Sequence, residues 1–229
     1  MFEKLFRLLK VIKGKDFYSS LQIKCNTVTL GDKSAEWMIC PDNINANSII
    51  YSFGIGENIS YDLELIKRYN VTVHAFDPTP KSLEWLKKQE LPEQFKSYPF
   101  GLADYDGDAE FHLPENAEYV SCSMIDEGKM KNQFVKVNVC RLKTLMGKLN
   151  HTEIDILKMD IEGAEYSVLN DILKEKLNIK QILIEFHHRY KNVGIEKSIS
   201  AIKLLNSHGY KIFAVSFSGE EYSFIKINQ

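Results

Sequence analysis

The sequence predicts a mainly parallel α/β sheet that finishes in an antiparallel hairpin. Two observations carry this. From residue 48 onward, short apolar strand-like runs alternate with helical segments, which is the pattern of right-handed βαβ units. After residue 210 the alternation stops. Residues 210–217 and 222–227 both read as strands, and Ser218-Gly219-Glu220 between them is too short for a crossover helix, so they must pair antiparallel.

The elements follow in order. Residues 1–13 place Phe2, Leu5, Phe6, Leu9 and Ile12 at helical spacing, with Lys4, Arg7, Lys10 and Lys13 between them. Residues 21–41 alternate weakly around Gly31-Asp32-Lys33-Ser34 and read as a hairpin. A buried strand over 48–53 ends in Gly54-Ile55-Gly56, and a helix over 58–69 follows, its apolar face supplied by Ile59, Leu63, Leu65 and Ile66. Residues 71–76 form a second strand, broken by Pro78-Thr79-Pro80 before a helix over 81–89. Further strands are expected at 95–98, 154–159 and 181–186, with helices at 162–176 and 195–208. Residues 104–140 hold a β-like excursion of the kind that shapes a substrate pocket. The division expected is an appendage over 1–47 and a main domain over 48–229.

Composition sets the outer bounds. The chain has 229 residues, 44% hydrophobic and 26% charged, which is ordinary for a globular protein. A net charge of −2 argues against a dedicated nucleic-acid binder. Cys25, Cys40, Cys122 and Cys140 show no metal-ligand spacing, and four reduced thiols in a cytoplasmic protein are expected, with a Cys25–Cys40 disulfide as the alternative. No apolar run is long enough for a membrane span. The basic helix of residues 1–13 is expected to pack on the domain or on a partner subunit, giving a homodimer surface. Weak contact with an anionic membrane surface stays open beside that.

Four motifs carry chemistry. Gly54 and Gly56 let the backbone turn sharply and approach a ligand, and the helix behind them offers free N–H groups. Asp77 follows Gly56 by 21 residues at the end of the next strand, where an acid accepts from ribose hydroxyls, although an Asp before Pro78 can also cap a helix. Asp160 falls at the end of the strand over 154–159, facing the crevice where such sheets bind ligands. Glu162 and Glu165 flank the next helix start, where negative charge is favourable and a structural role suffices. Glu185 and His187 share one side of the last parallel strand by period-two alternation, and so join Asp160.

Taken together, Tyr51-Ser-Phe-Gly-Ile-Gly-Glu-Asn-Ile-Ser60, His74-Ala-Phe-Asp-Pro78, Leu157-Lys-Met-Asp-Ile-Glu-Gly-Ala-Glu165 and Ile184-Glu-Phe-His187 resemble the FkbM-type methyltransferases. Ser52 and Asn58 stand where the methyltransferase glycine motif more often carries an acid and a third glycine. The resemblance implies a Rossmann-like class I methyltransferase fold, a seven-stranded sheet with a terminal antiparallel hairpin. It also implies S-adenosylmethionine-dependent O-methylation of a sugar, nucleotide-sugar or polysaccharide-related small-molecule acceptor. Gly54, Gly56, Glu57, Asn58, Asp77, Pro78, Gly101, Leu102, Ser123 and Asp160 would then surround the cofactor. His187 would be the base for the acceptor hydroxyl, oriented by Glu185 or Asp160. A metal-free site is favoured, and a divalent ion on Asp160, Glu185 and His187 ranks second. Tyr61, Tyr105, Tyr119 and the aromatic-rich C-terminus are offered as sugar-stacking groups. The rival readings are a nicotinamide-dependent oxidoreductase and a methyltransferase-fold binding module without chemistry.

Overall fold

The computed structural model describes residue 7 and residues 9–114, 130–190 and 192–227. A two-stranded hairpin, β1 (Val28–Leu30) and β2 (Trp37–Ile39), precedes the main alternation. Then come β3 (Ile49–Phe53), α1 (Ser60–Tyr69), β4 (Thr72–Phe76), α2 (Pro80–Leu86), β5 (Phe95–Tyr98), β6 (Gly101–Leu102), β7 (Gly107–Pro114) and β8 (Met130–Cys140). The chain continues with α3 (Leu142–Lys148), β9 (Glu153–Met159), α4 (Glu165–Lys174), β10 (Asn178–Glu185), α5 (Ile195–Ser207), β11 (Tyr210–Val215) and β12 (Glu221–Lys226).

The central sheet has seven strands in the order β11-β12-β10-β9-β3-β4-β5. All neighbours from β10 to β5 are parallel. β12 runs antiparallel to both β10 and β11, so the expected hairpin is present and its second strand is threaded between the first and the rest of the sheet. The chain leaves β3 toward β5 and returns on the other side as β9, which puts the topological switch point between β3 and β9. The excursion over 104–140 becomes a separate sheet, β6-β8-β7.

Strand alternation builds two cores. Tyr51, Phe53, Leu157, Met159, Ile182 and Ile184 point to one face, against α3, α4 and α5 through Leu145, Val168, Leu169 and Leu205. Ile50, Val73, Ala75, Ile156 and Leu183 point to the other, where Leu65 of α1 and Trp37 and Ile39 of the hairpin cover them. Full burial of one such side chain is worth about 1.5–3 kcal/mol. The hairpin is tied on by the buried Gln181 amide, which accepts from Cys40 N–H at 2.9 Å and donates to Cys40 O at 2.7 Å. It therefore shares a core with the sheet. α1 ends as Asn70 turns left-handed (φ 54°), a conformation asparagine tolerates.

Several boundaries differ from the sequence reading. α4 starts at Glu165, not 162, because Glu162 (φ 55°) and Gly163 (φ 102°) adopt left-handed backbone first. α3 was not expected: its seven residues are too few to show a helical period, and Gly147 interrupts it. Arg7 and residues 9–12 are helical as expected, and the rest of the first eight residues lies outside the described chain. Leu9 is 46% and Ile12 73% exposed, so packing on this domain does not account for those two members of the stripe. Arg7 instead reaches in, donating to Phe17 O at 3.2 Å. Cys25, Cys40 and Cys140 are free thiols, and Cys122 lies outside the described residues. Among the described residues no helix is long and apolar enough to cross a membrane.

One pH effect follows from the packing. His74 on β4 lies among Tyr51, Tyr98 and His151, and burial, with His151 and Lys96 adding repulsion, pushes its pKa down to about 4. The unfolded imidazole titrates near 6.5. The unfolded state therefore takes up the proton first, and the stability His74 contributes is complete above about 6.5 and lost as pH falls toward 4. Asp62, buried and pushed up to about 6, acts in the opposite direction, so the comparison must be with a variant. Denaturant melts of wild type and His74→Gln are expected to differ most above pH 7 and to converge by pH 4.5. A constant difference across that range would contradict the assignment.

Candidate functional site

Strand register brings the motif residues into line. Phe53 pairs with Phe76 on one side and with Met159 on the other, and Met159 pairs with Ile184. The next residue on each strand is then Gly54, Asp77, Asp160 and Glu185, a row along the carboxyl edge of the sheet across the switch point. All four line one cavity of about 1140 Å³.

The glycine loop is held closely against this row. Gly54 has φ +74°, and a Cβ there would lie 1.7 Å from Asp160 O, so the position excludes any side chain. Lys158, 6% exposed, spends its ammonium on the same loop, donating to Gly54 O at 2.8 Å and Phe53 O at 3.3 Å. Asp77 braces the turns on both sides of it. Its Oδ1 accepts from Thr79 N–H at 2.9 Å ahead of α2, and its Oδ2 accepts from Gly56 N–H at 2.9 Å while the residue lines the cavity.

Of the other expected cofactor residues, Glu57, Asn58, Pro78, Gly101 and Leu102 also line the cavity. Gly101 forms tight floor, since a Cβ would meet Val139 at 3.0 Å and Pro78 at 3.1 Å. Asn58 is turned outward, donating to both Asp32 oxygens at 3.1 Å and to Ser34 Oγ at 2.8 Å. It thereby clamps the hairpin turn over the glycine loop, and Lys33, Ser34, Glu36 and Trp37 become cavity wall. Ser123 and Tyr119 lie outside the described residues. Tyr61 is 2% exposed and packs near Trp37, which removes it as a stacking platform. Tyr105 is exposed but does not line the cavity, whereas Phe217, 64% exposed, does.

The acidic half of the site centres on His187. Its Nε2 lies 3.4 Å from Glu162 Oε2, 3.7 Å from Asp160 Oδ1 and 3.9 Å from Glu185 Oε1. Its Nδ1 is 2.9 Å from Glu165 Oε1, off the ideal hydrogen-bond line and so a charge contact first. Tyr190 packs on the ring at 4.8 Å. Asp160, Glu162 and Glu185 line the cavity, but His187, 5% exposed, stands behind them. Burial opposes charge on the imidazole, yet Glu165, Glu162 and Asp160 outweigh it and raise its pKa well above the usual value. Burial pushes Asp160 up to about 6 and Glu185 well above the carboxylate range.

Sequence reasoning placed Asp160, Glu185 and His187 together, and the structure does so. It named Glu185 or Asp160 as the group orienting His187, whereas the contact at Nδ1 is Glu165, a fully buried carboxylate read as structural. Spacing along the sequence does not reveal this contact, because Glu162 and Gly163 turn left-handed before the helix begins at Glu165. Lys158 was also missed, although a lysine two residues before Asp160 near the end of a strand shares its face.

Comparison with known proteins bears on this arrangement. The sequence matches the Methyltransferase FkbM domain over residues 47–212, most of the chain and all four motifs that carry chemistry. The chain belongs to the FkbM methyltransferase family. It is 25% identical over 217 residues to probable methyltransferase-like protein 24 of Homo sapiens, covering 87% of this chain and 51% of that protein. A segment of the AMB antimetabolite synthetase AmbE of Pseudomonas aeruginosa is 26% identical over 147 residues, 56% of this chain and 7% of that one. The FkbM chain thus spans about half the length of the methyltransferase-like relatives it matches. Among solved structures, the methyltransferase FkbM of Methylobacillus flagellatus KT is similar, with a TM-score of 0.48 and 11% identity over 79% of this chain and 44% of that one.

Proposed function

We propose that this FkbM domain transfers a methyl group from S-adenosylmethionine to a hydroxyl of a sugar-type acceptor. The observation that carries the reading is the single cavity shared by Gly54, Gly56 and Asp77 on one side and Asp160 and Glu185 on the other. Its volume of about 1140 Å³ exceeds that of a usual small-ligand pocket, which supports a cofactor and an acceptor held together.

The residues fit an adenosyl cofactor. Asp77 Oδ1 is filled by the Thr79 N–H and hydroxyl, but Oδ2 accepts only from Gly56 N–H and can take a ribose hydroxyl, the side-chain-free Gly54 and Gly56 give close backbone approach, and Gly101 and Leu102 floor the cavity beside Pro78. S-adenosylmethionine, when bound, supplies a methyl group on a sulfonium with a good leaving group. The protein's task is then alignment and exclusion of water, worth about 7–11 kcal/mol when the geometry is right. The acceptor hydroxyl meets Asp160 and Glu185, the cluster members that line the cavity. His187 acts from behind them, and accepting the hydroxyl's proton into this cluster should be worth roughly 10²–10⁴-fold. A cytoplasmic setting is part of the same proposal.

The test is a screen of free and nucleotide-activated sugars with methyl-labelled S-adenosylmethionine, read by product mass. Label on a sugar oxygen is expected. Cofactor binding without transfer to any alcohol would favour the binding module, and binding of NAD without S-adenosylmethionine would favour the oxidoreductase.

A further inference from the structure

We propose that Asp160, Glu185 and His187 bind one divalent cation of the Mn²⁺ type, and that this cation grips two neighbouring hydroxyls of the acceptor. The cation site stands on the geometry alone, whereas its grip on the acceptor rests on the methyl-transfer reading.

Three side chains each offer one donor atom, and the three atoms lie within 4.8 Å of one another. Ligand bonds of about 2.0–2.2 Å hold neighbouring donors roughly 3–4 Å apart. The separations of 3.7 Å from Nε2 to Asp160 and 3.9 Å from Nε2 to Glu185 fall in that range. Asp160 and Glu185 keep 29% and 26% of their side-chain surface open, so an ion has a path in from the cavity.

His187 supplies the independent observation. It is buried to 5% exposure, no hydrogen bond among the described residues reaches its Nε2, and that atom lies 3.4 Å from Glu162, 3.7 Å from Asp160 and 3.9 Å from Glu185. Its far nitrogen faces the buried Glu165 at 2.9 Å. A carboxylate behind the far ring nitrogen is how proteins orient a metal-binding imidazole. Charge points the same way. Asp160, Glu162, Glu165 and Glu185 surround one imidazole and one ammonium, that of Lys158, which already serves the glycine loop. With the carboxylates and the ammonium ionised and the imidazole neutral, as a ligand must be, an excess of three negative charges is left in a largely buried cluster, which a divalent cation cuts to one.

Two carboxylate oxygens and one imidazole nitrogen suit a cation between the hard and borderline classes, and Mn²⁺ matches both donor types. Three protein ligands leave coordination positions open. Two adjacent acceptor oxygens can fill them, which selects vicinal diols, the commonest array on a sugar. The cation would acidify a hydroxyl that it held, and Glu162, which lines the cavity but is not one of the three ligands, would be placed to take the proton.

The experiment titrates chelator-stripped, dialysed protein with MnCl₂ and follows free Mn²⁺ by electron paramagnetic resonance. One Mn²⁺ per chain is expected. Asp160→Asn and Glu185→Gln, each checked for folding by circular dichroism, should lose it, and Glu165→Gln should weaken it by roughly 10–100-fold. A wild-type protein that leaves millimolar Mn²⁺ free, or variants that bind like wild type, would overturn the site. S-adenosylhomocysteine binding and methyl transfer are measured on the same samples. Transfer undiminished in the stripped protein removes the cation and leaves the methyl-transfer reading standing. Mn²⁺ bound with neither cofactor binding nor transfer does the reverse.

Discussion

Gly54→Ala is expected to abolish binding of S-adenosylhomocysteine and to lower the melting temperature by on the order of 10 °C. Two costs combine. The backbone there has φ +74°, and a left-handed conformation costs a residue with a Cβ about 1–2 kcal/mol. The new Cβ would also sit 1.7 Å from Asp160 O, a backbone atom that cannot swing aside. Relieving such a clash typically costs about 1–3 kcal/mol. The strands that must part are β3 and β9, which carry Gly54 and Asp160 across the switch point, so the loss falls on the site itself. Gly147→Ala is the control. It lies in α3 with nothing within 4 Å of the added Cβ, and should keep both stability and binding. A folded Gly54→Ala protein that binds S-adenosylhomocysteine like wild type would show that the loop is not the cofactor's seat.

His187→Gln should lower kcat by roughly 10²–10⁴-fold while changing S-adenosylhomocysteine affinity little. The split follows from position. His187 is not in the cavity wall, whereas the glycine loop and Asp77 are. Its contacts are the carboxylates that meet the acceptor, at 3.4–3.9 Å, and Glu165 behind it. Glu185→Gln should show the same split, because Glu185 is the cavity-facing end of the same cluster. A purely structural His187 would instead lower stability and cofactor affinity together. A variant with full turnover would remove the cluster from the chemistry.

How much of this was legible in the sequence depended on the kind of signal. The row Gly54, Asp77, Asp160, Glu185 was readable because each sits just at or after the end of an apolar strand, and parallel pairing brings such ends to one edge. The terminal hairpin was readable from a linker too short for a helix. That β12 inserts beside β10 was not, since local sequence does not choose among neighbours in a sheet. Asn58 drew notice as a departure from the glycine pattern, but its role is long-range. It holds Asp32 and Ser34, more than twenty residues earlier, and no local pattern reveals such a clamp. Glu165 was misjudged because a carboxylate at a helix start already has a sufficient local explanation. Its second task, facing His187, depends on packing between α4 and the end of β10.

The most direct test of the central claim is the crystal structure of the chain with S-adenosylhomocysteine. The account predicts one ligand in the cavity beneath the hairpin turn, its ribose on Asp77, its chain along the Gly54–Gly56 loop, and open space left beside Asp160 and Glu185 for an acceptor. A ligand lodged elsewhere, with Asp77 and Asp160 facing separate solvent-filled spaces, would contradict it.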